Sequence, residues 1–135
     1  MPQMNGIDFL EKAKKDYNPS LVYDLVIAAD VAAKDRMGDA TILFDKAKTT
    51  INIDHHKTNP AYGDYNLIEP NASSCGEVLF NYFKRQNWEF TKDAAICLYT
   101  AIMTDTGNFR FENTSPNTFR AAADLVELGA EPTNL

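Results

Sequence analysis

Residues 49–59, TTINIDHHKTN, decide how the chain is read. Ile51 and Ile53 alternate with polar neighbours, the two-residue period of a β-strand, and the run then breaks into Asp54, His55 and His56. These are the only two histidines of the 135 residues, and they stand side by side at a strand's tip. Successive strand residues face opposite sides, so one imidazole at most is expected on any single ion, leaving the other for a different task.

Working outward, LVYDLVIAAD (21–30) is an apolar run that ends in an aspartate, with the length of a buried strand in a parallel sheet. GDATILFDKAKT (38–49) reads as a helix with Asp39 as its N-cap, returning the chain to the strand that ends in the histidines. A strand–helix–strand unit of this kind favours a right-handed parallel crossover. Before it, IDFLEKAKK (7–15) is helix-like.

The second half reads as mainly helical. In SSCGEVLFNYFKRQ (73–86), Ser74 and Glu77 have the spacing of a capping box, and Val78, Leu79, Tyr82 and Phe83 make an inward face. TKDAAICLYTAIMTDTG (91–107) starts at a Thr cap and carries an apolar stripe as far as the polar TDTG. SPNTFRAAADLVELGA (115–130) has Ser115 as cap, Pro116 at the first helical position and Gly129 just past the end. Between these two helices NFRFEN (108–113) suggests a short strand. The expected class is therefore α/β, a mainly parallel sheet flanked by helices, with residues 1–135 as one domain.

Composition narrows the function. The net charge of −6, with no dense Lys/Arg run, opposes binding to long duplex nucleic acid but leaves a short phosphate-bearing ligand open if cations mediate the contact. No window approaches the roughly 20 apolar residues of a membrane span and the N-terminal residues show no apolar signal segment, so the expected location is cytoplasmic, with no membrane partner. Cys75 and Cys97 both fall in helical stretches and read as buried packing.

In open α/β sheets ligands gather beyond the carboxyl ends of the strands. Asp30 ends one predicted strand and Asp54, His55 and His56 the next, so both open onto one rim; Asp105, closing an apolar helix before Thr106 and Gly107, is the third candidate. Carboxylates and imidazole without a thiolate favour Mn²⁺, Mg²⁺, Fe²⁺ or Co²⁺ over structural zinc, with manganese first. Such sets serve phosphoester hydrolysis, in which paired ions polarise the phosphoryl group and activate water.

Several stretches carry a family resemblance. NIDHHKTN (52–59) resembles the signature of the DHH phosphoesterase superfamily. VIAADVAAKDRMGD (26–39) resembles its second motif, with Asp30, Arg36 and Gly38 in the matching places. LIEPNASSCGEVLFNYF (67–83) and LYTAIMTDTGNFRFENTSPNTFRAAADLVELGA (98–130) are similar to later segments of its nanoRNase/pAp phosphatase branch. The resemblance implies that Asp30 bridges two Mn²⁺ ions in an intact domain, with Mg²⁺ or Co²⁺ as substitutes, and that His55 and Asp105 are ligands. It implies that His56 faces the substrate phosphate, that Asp54 supports its neighbours from behind the ligands, and that Arg36 contacts phosphate. The implied activity is hydrolysis of short oligoribonucleotides, of 3′-phosphoadenosine 5′-phosphate, or of both, by a protein that forms a homodimer when intact. A cyclic dinucleotide phosphodiesterase domain and a non-catalytic nucleotide-binding module are the alternatives, and a pyrophosphatase fits the later segments less well. The superfamily's first motif, a strand ending in His-x-x-x-Asp-x-Asp, and its C-terminal substrate-binding domain have no counterpart here, so the expectation is a partial DHH domain that is slow or inactive by itself.

Overall fold

The structure, a computed structural model, describes residue 20 and residues 22–132. The helix expected at 7–15 lies outside them. Strand β1 (Leu25–Ala29) leads through a 3₁₀ segment (Lys34–Ala40) and helix α1 (Thr41–Lys46) to β2 (Thr49–Asp54). Then come β3 (Tyr65–Ile68) and three helices, α2 (Cys75–Arg85), α3 (Lys92–Asp105) and α4 (Pro116–Glu127). The strands lie in the order β1-β2-β3 and both pairings are parallel, as expected of the strand–helix–strand unit.

Register does the positioning. Ala29 pairs with Ile53 and Asp54 with Ile68, so the residues that follow β1 and β2 leave the sheet at one rim. Paired residues share a face. On one face of β2, Ile51 and Ile53 are half-buried, and Cys75 at the start of α2 donates its thiol to the Ile53 carbonyl at 3.5 Å. On the other, Thr50, Asn52 and Asp54 are fully buried although polar. The segment after the histidines folds back over them: Asp64 accepts from the Thr50 amide and hydroxyl, and Asn52 donates to the Tyr62 hydroxyl. Gly63 makes this close approach feasible, because a Cβ there would stand 2.9 Å from the Asn52 amide nitrogen. Phe44 of α1 is buried edge-on against Tyr62.

The apolar core lies among the helices, where Phe80, Ala95, Tyr99, Ile102, Ala121, Ala122, Leu125 and Ala130 are buried together. Gly76 lets α2 and α3 approach closely: a Cβ on it would meet that of Ala101 at 2.7 Å. Thr91 and Ser115 cap α3 and α4 as expected, accepting from Ala94 and Thr118, and Pro116 occupies the first turn of α4.

Five expectations are corrected. β1 is an edge strand rather than a buried one: among the described residues only β2 pairs with it, and Leu25 and Ile27 are 47% and 53% exposed. α1 starts at Thr41 with Ala40, not Asp39, at the cap position, because the 3₁₀ segment runs on and Gly38 (φ 56°) turns the chain there. The capping box on α2 is half formed, since Ser74 accepts from the Glu77 amide while the Glu77 carboxylate reaches back one residue further, to Ser73. On α2 Val78 is buried as expected, but its buried companion is Phe80, and Tyr82 is exposed. Residues 108–113 form turns rather than a strand, as Gly107, Asn108 and Phe109 all have left-handed backbone.

Candidate metal centre

β1 stops at Ala29, and Asp30 then turns the chain in left-handed backbone (φ 61°), a conformation that aspartate tolerates better than most residues. Its amide donates to the Ile53 carbonyl at 2.9 Å, which holds its carboxylate beside the end of β2. His55 and His56 lie just past β2, where strand alternation no longer applies. Both rings consequently turn to the same side, with centroids 4.6 Å apart, correcting the expectation of opposite faces.

Asp54 is the buried anchor of the pair. One carboxylate oxygen accepts from the His55 amide (2.8 Å) and bonds His56 Nδ1 (2.7 Å); the other accepts from Asn59 Nδ2 at 2.6 Å. Burial pushes the Asp54 carboxyl up, but the bonds from Asn59, His56 and the backbone together hold it below the ordinary value. Asn59 also donates to the Val31 carbonyl at 3.2 Å, and so does the Tyr62 hydroxyl at 2.7 Å, which fastens the segment after β1 to the segment after β2.

Asp105 is the last residue of α3, brought to the same rim by the helix's stop. Its neighbour Thr106 is fully buried, donating its hydroxyl to the Ile102 carbonyl and accepting from the Phe109 amide, which reverses the chain tightly. His55 Nε2 stands 3.4 Å from Asp30 Oδ1 and 3.4 Å from Asp105 Oδ2. Its Nδ1 lies 3.3 Å from the Ala72 carbonyl; the tautomer that donates there leaves the Nε2 lone pair facing the two carboxylates. Burial, then the Asp30 charge, raises the Asp105 carboxyl, with the two histidines opposing the shift.

In the tautomer that donates to Ala72, the imidazole lone pair and the two carboxylate oxygens are all acceptors, an arrangement that a cation, or a second proton on His55, would relieve. Donors sharing one cation at roughly 2.1 Å stand about 3.0–3.4 Å apart, and the two distances from His55 match that spacing. Asp30, Asp54, His55 and His56 also offer donor atoms all within 4.8 Å of one another. Asp54, however, is fully buried with both oxygens engaged, whereas the Asp105 side chain is 37% exposed and faces His55. Asp30 and Asp105 are thus the two carboxylates that turn an oxygen toward His55 Nε2.

Arg36 is exposed on the 3₁₀ segment and forms no ion pair with these carboxylates among the described residues. Cys75 is buried as expected, its thiol pushed up to about 11 by burial and by the Asp30 charge; Cys97 is exposed, contrary to expectation. Sequence reasoning assigned no role to Asn59, Tyr62, Ala72 or Asn113. Only Asn59 carried a signal, as a polar residue within the DHH stretch itself.

Residues 3–102 match the DHH family, N-terminal domain. A domain of parallel strands whose carboxyl rim gathers aspartate and histidine is thus the class at hand, and the chain belongs to the DHH family, in its NrnA-like branch. Over 125 residues it is 30% identical to the bifunctional oligoribonuclease and PAP phosphatase NrnA of Bacillus subtilis, covering 90% of this chain and 39% of that one. It is 39% identical over 85 residues to the Thermus thermophilus protein of the same name, covering 63% of this chain and 26% of the other. An exopolyphosphatase-related protein from Bacteroides fragilis shares the fold, with a TM-score of 0.76 at 23% identity, over 96% of this chain and 37% of that one. The chain thus spans well under half the length of these relatives.

Proposed function

We propose that the chain is the catalytic portion of a metal-dependent phosphoesterase that hydrolyses short oligoribonucleotides and removes phosphate from 3′-phosphoadenosine 5′-phosphate in the cytoplasm. The observation that carries the reading is the approach of Asp30 and Asp105, from separate elements, to His55, each with an oxygen 3.4 Å from the imidazole nitrogen. The names of the Bacillus and Thermus relatives support the substrate class.

Asp30, His55 and Asp105 would hold Mn²⁺, the first choice for a site of carboxylates and imidazole, with Mg²⁺ or Co²⁺ as substitutes. When bound, the cation supplies Lewis acidity toward a phosphoryl oxygen and the attacking water. His56 is partly exposed beside the cluster, with Nδ1 engaged by Asp54; its Nε2 is the group that meets the substrate phosphate. Asp54 orients both histidines, His55 through its amide and His56 through Nδ1. Arg36 contributes a charge that draws phosphate toward the rim. Three donors retain one ion weakly, so the chain by itself turns over slowly and ligands from elsewhere in an intact, dimeric protein complete a second site.

Calorimetric titration of the chain with Mn²⁺, alongside hydrolysis of a ribodinucleotide, tests this reading. One weak site is expected. Asp30→Asn, which keeps the left-handed turn accessible, should weaken binding by about 100-fold and abolish hydrolysis. Absence of saturable binding in the unaltered chain would instead favour a nucleotide-binding module without catalysis.

A further inference from the structure

The geometry points to Glu77 as a positioning residue that, through Ser73, fixes two of the candidate metal donors at once. The inference rests on the reading of His55 and Asp105 as donors and adds the part of the molecule that aligns them. Glu77 lies in the first turn of α2 and is 2% exposed. A carboxylate so buried carries a large desolvation cost unless it is well supplied with donors. One oxygen accepts three: the Ser73 amide at 2.9 Å, the Ser73 hydroxyl at 2.5 Å and the Thr118 hydroxyl of α4 at 2.9 Å.

Ser73 is where the two branches divide. The preceding residue, Ala72, presents its carbonyl to His55 Nδ1 at 3.3 Å, so holding Ser73 sets the partner that orients the imidazole. The carbonyl of Ser73 itself accepts from Asn113 Nδ2 at 2.8 Å, and the same amide group donates to the Asp105 carbonyl at 3.1 Å. Asn113 thereby ties the end of α3, and with it Asp105, to the start of α2. Helix ends leave carbonyls without partners, so the Asn113 bond gives this end a fixed attachment. The separation of His55 from Asp105 then depends on one buried carboxylate that touches neither of them. A carboxylate used only to cap α2 would have returned to Ser74, whereas this one spans α2, the preceding loop and α4.

The test compares Glu77→Ala, Glu77→Gln, Asn113→Ala and Leu125→Ala by Mn²⁺ calorimetry, with imidazole nitrogen NMR of His55 in the metal-free chain. Glu77→Ala should weaken Mn²⁺ binding about 10–100-fold and let His55 exchange between tautomers; Glu77→Gln, still able to accept, should recover most of both. Asn113→Ala, at an exposed position, should lose several-fold through Asp105 while leaving the His55 tautomer alone. Leu125→Ala, in the core of α4, should lower stability without moving either readout. If Glu77→Ala fails to fold, Thr118→Val removes one of the three donors and should shift the His55 signals less, but in the same direction. Unchanged His55 signals and Mn²⁺ affinity in the Glu77 or Thr118 variant would overturn the inference, as would an equal loss in Leu125→Ala. No Mn²⁺ binding in the unaltered chain would remove the metal reading, and the tautomer measurement would still decide whether Glu77 positions His55.

Discussion

The two sides of the molecule are held together by different physics. Between α2, α3 and α4 the apolar cluster is Phe80, Tyr99, Ile102 and Leu125 among alanines, and its stability comes from apolar area removed from water. On the covered polar face of β2, Thr50, Asn52 and Asp54 are also buried, but they are held by hydrogen bonds, to Asp64, Tyr62 and Asn59 and, for Asp54, to His55 and His56 as well. Hydrogen bonds add little net stability but fix direction, since a buried polar group left unpaired is costly. The apolar helical core therefore supports the fold, while hydrogen bonds, those of the polar face and those of Glu77 at the start of α2, aim the side chains at the rim.

The largest effect should come from breaking the helical side. Phe80→Ala removes a side chain that is 1% exposed and tilted against Phe90, and should cost about 3–5 kcal/mol in urea unfolding. If the division holds, whatever folded protein remains should bind Mn²⁺ as before. A parallel loss of affinity would mean that the two sides are not separable.

Asp54→Asn attacks the other side. The amide can accept on one arm only, so its NH₂ group faces either Asn59 or the pair of donors from His55 and His56. About 1–3 kcal/mol of stability should be lost, less than for Phe80→Ala, yet Mn²⁺ affinity should fall because the His56 ring and the His55 amide share this anchor. Comparing the two variants sharpens the contrast: the larger stability loss should accompany the smaller change in metal binding.

The same contrast explains what was legible in the sequence. The helical side announced itself through local chemistry, with Thr91, Ser115 and Pro116 where helix starts demand them and an apolar stripe along α3. β2 was visible by its alternation. β3 was not: YNLI is four residues long, exposed over its first half, and pairs along the edge that β2 offers. The strand expected at 108–113 failed because three left-handed residues in succession cannot continue an extended chain. At the rim, Asp30, His55 and Asp105 were recognisable from residue type and from their places at the ends of elements. Asn113, the Ala72 carbonyl and the role of Glu77 were hidden, because each acts through a hydrogen bond between segments far apart in sequence, and spacing does not encode such bonds.

The smallest effect concerns how the polar segment is fastened at its far end. Asp64 accepts from the Thr50 hydroxyl and amide, and these two bonds hold its carboxyl below the ordinary 3.8, with Lys34 adding to the shift. A depressed folded value means that the charged form is the one stabilised. Its contribution is complete above the unfolded value and fades as the pH falls through the folded one. Asp64→Asn should consequently be slightly less stable than the unaltered chain from about pH 5 upward, with the gap closing below about pH 4. Because Asp54 titrates alike in both proteins, the difference between their unfolding curves isolates Asp64. A gap that stays constant down to the acid limit would show that the clasp on Thr50 does not depend on charge, and that only the rim end of this face is electrostatically tuned.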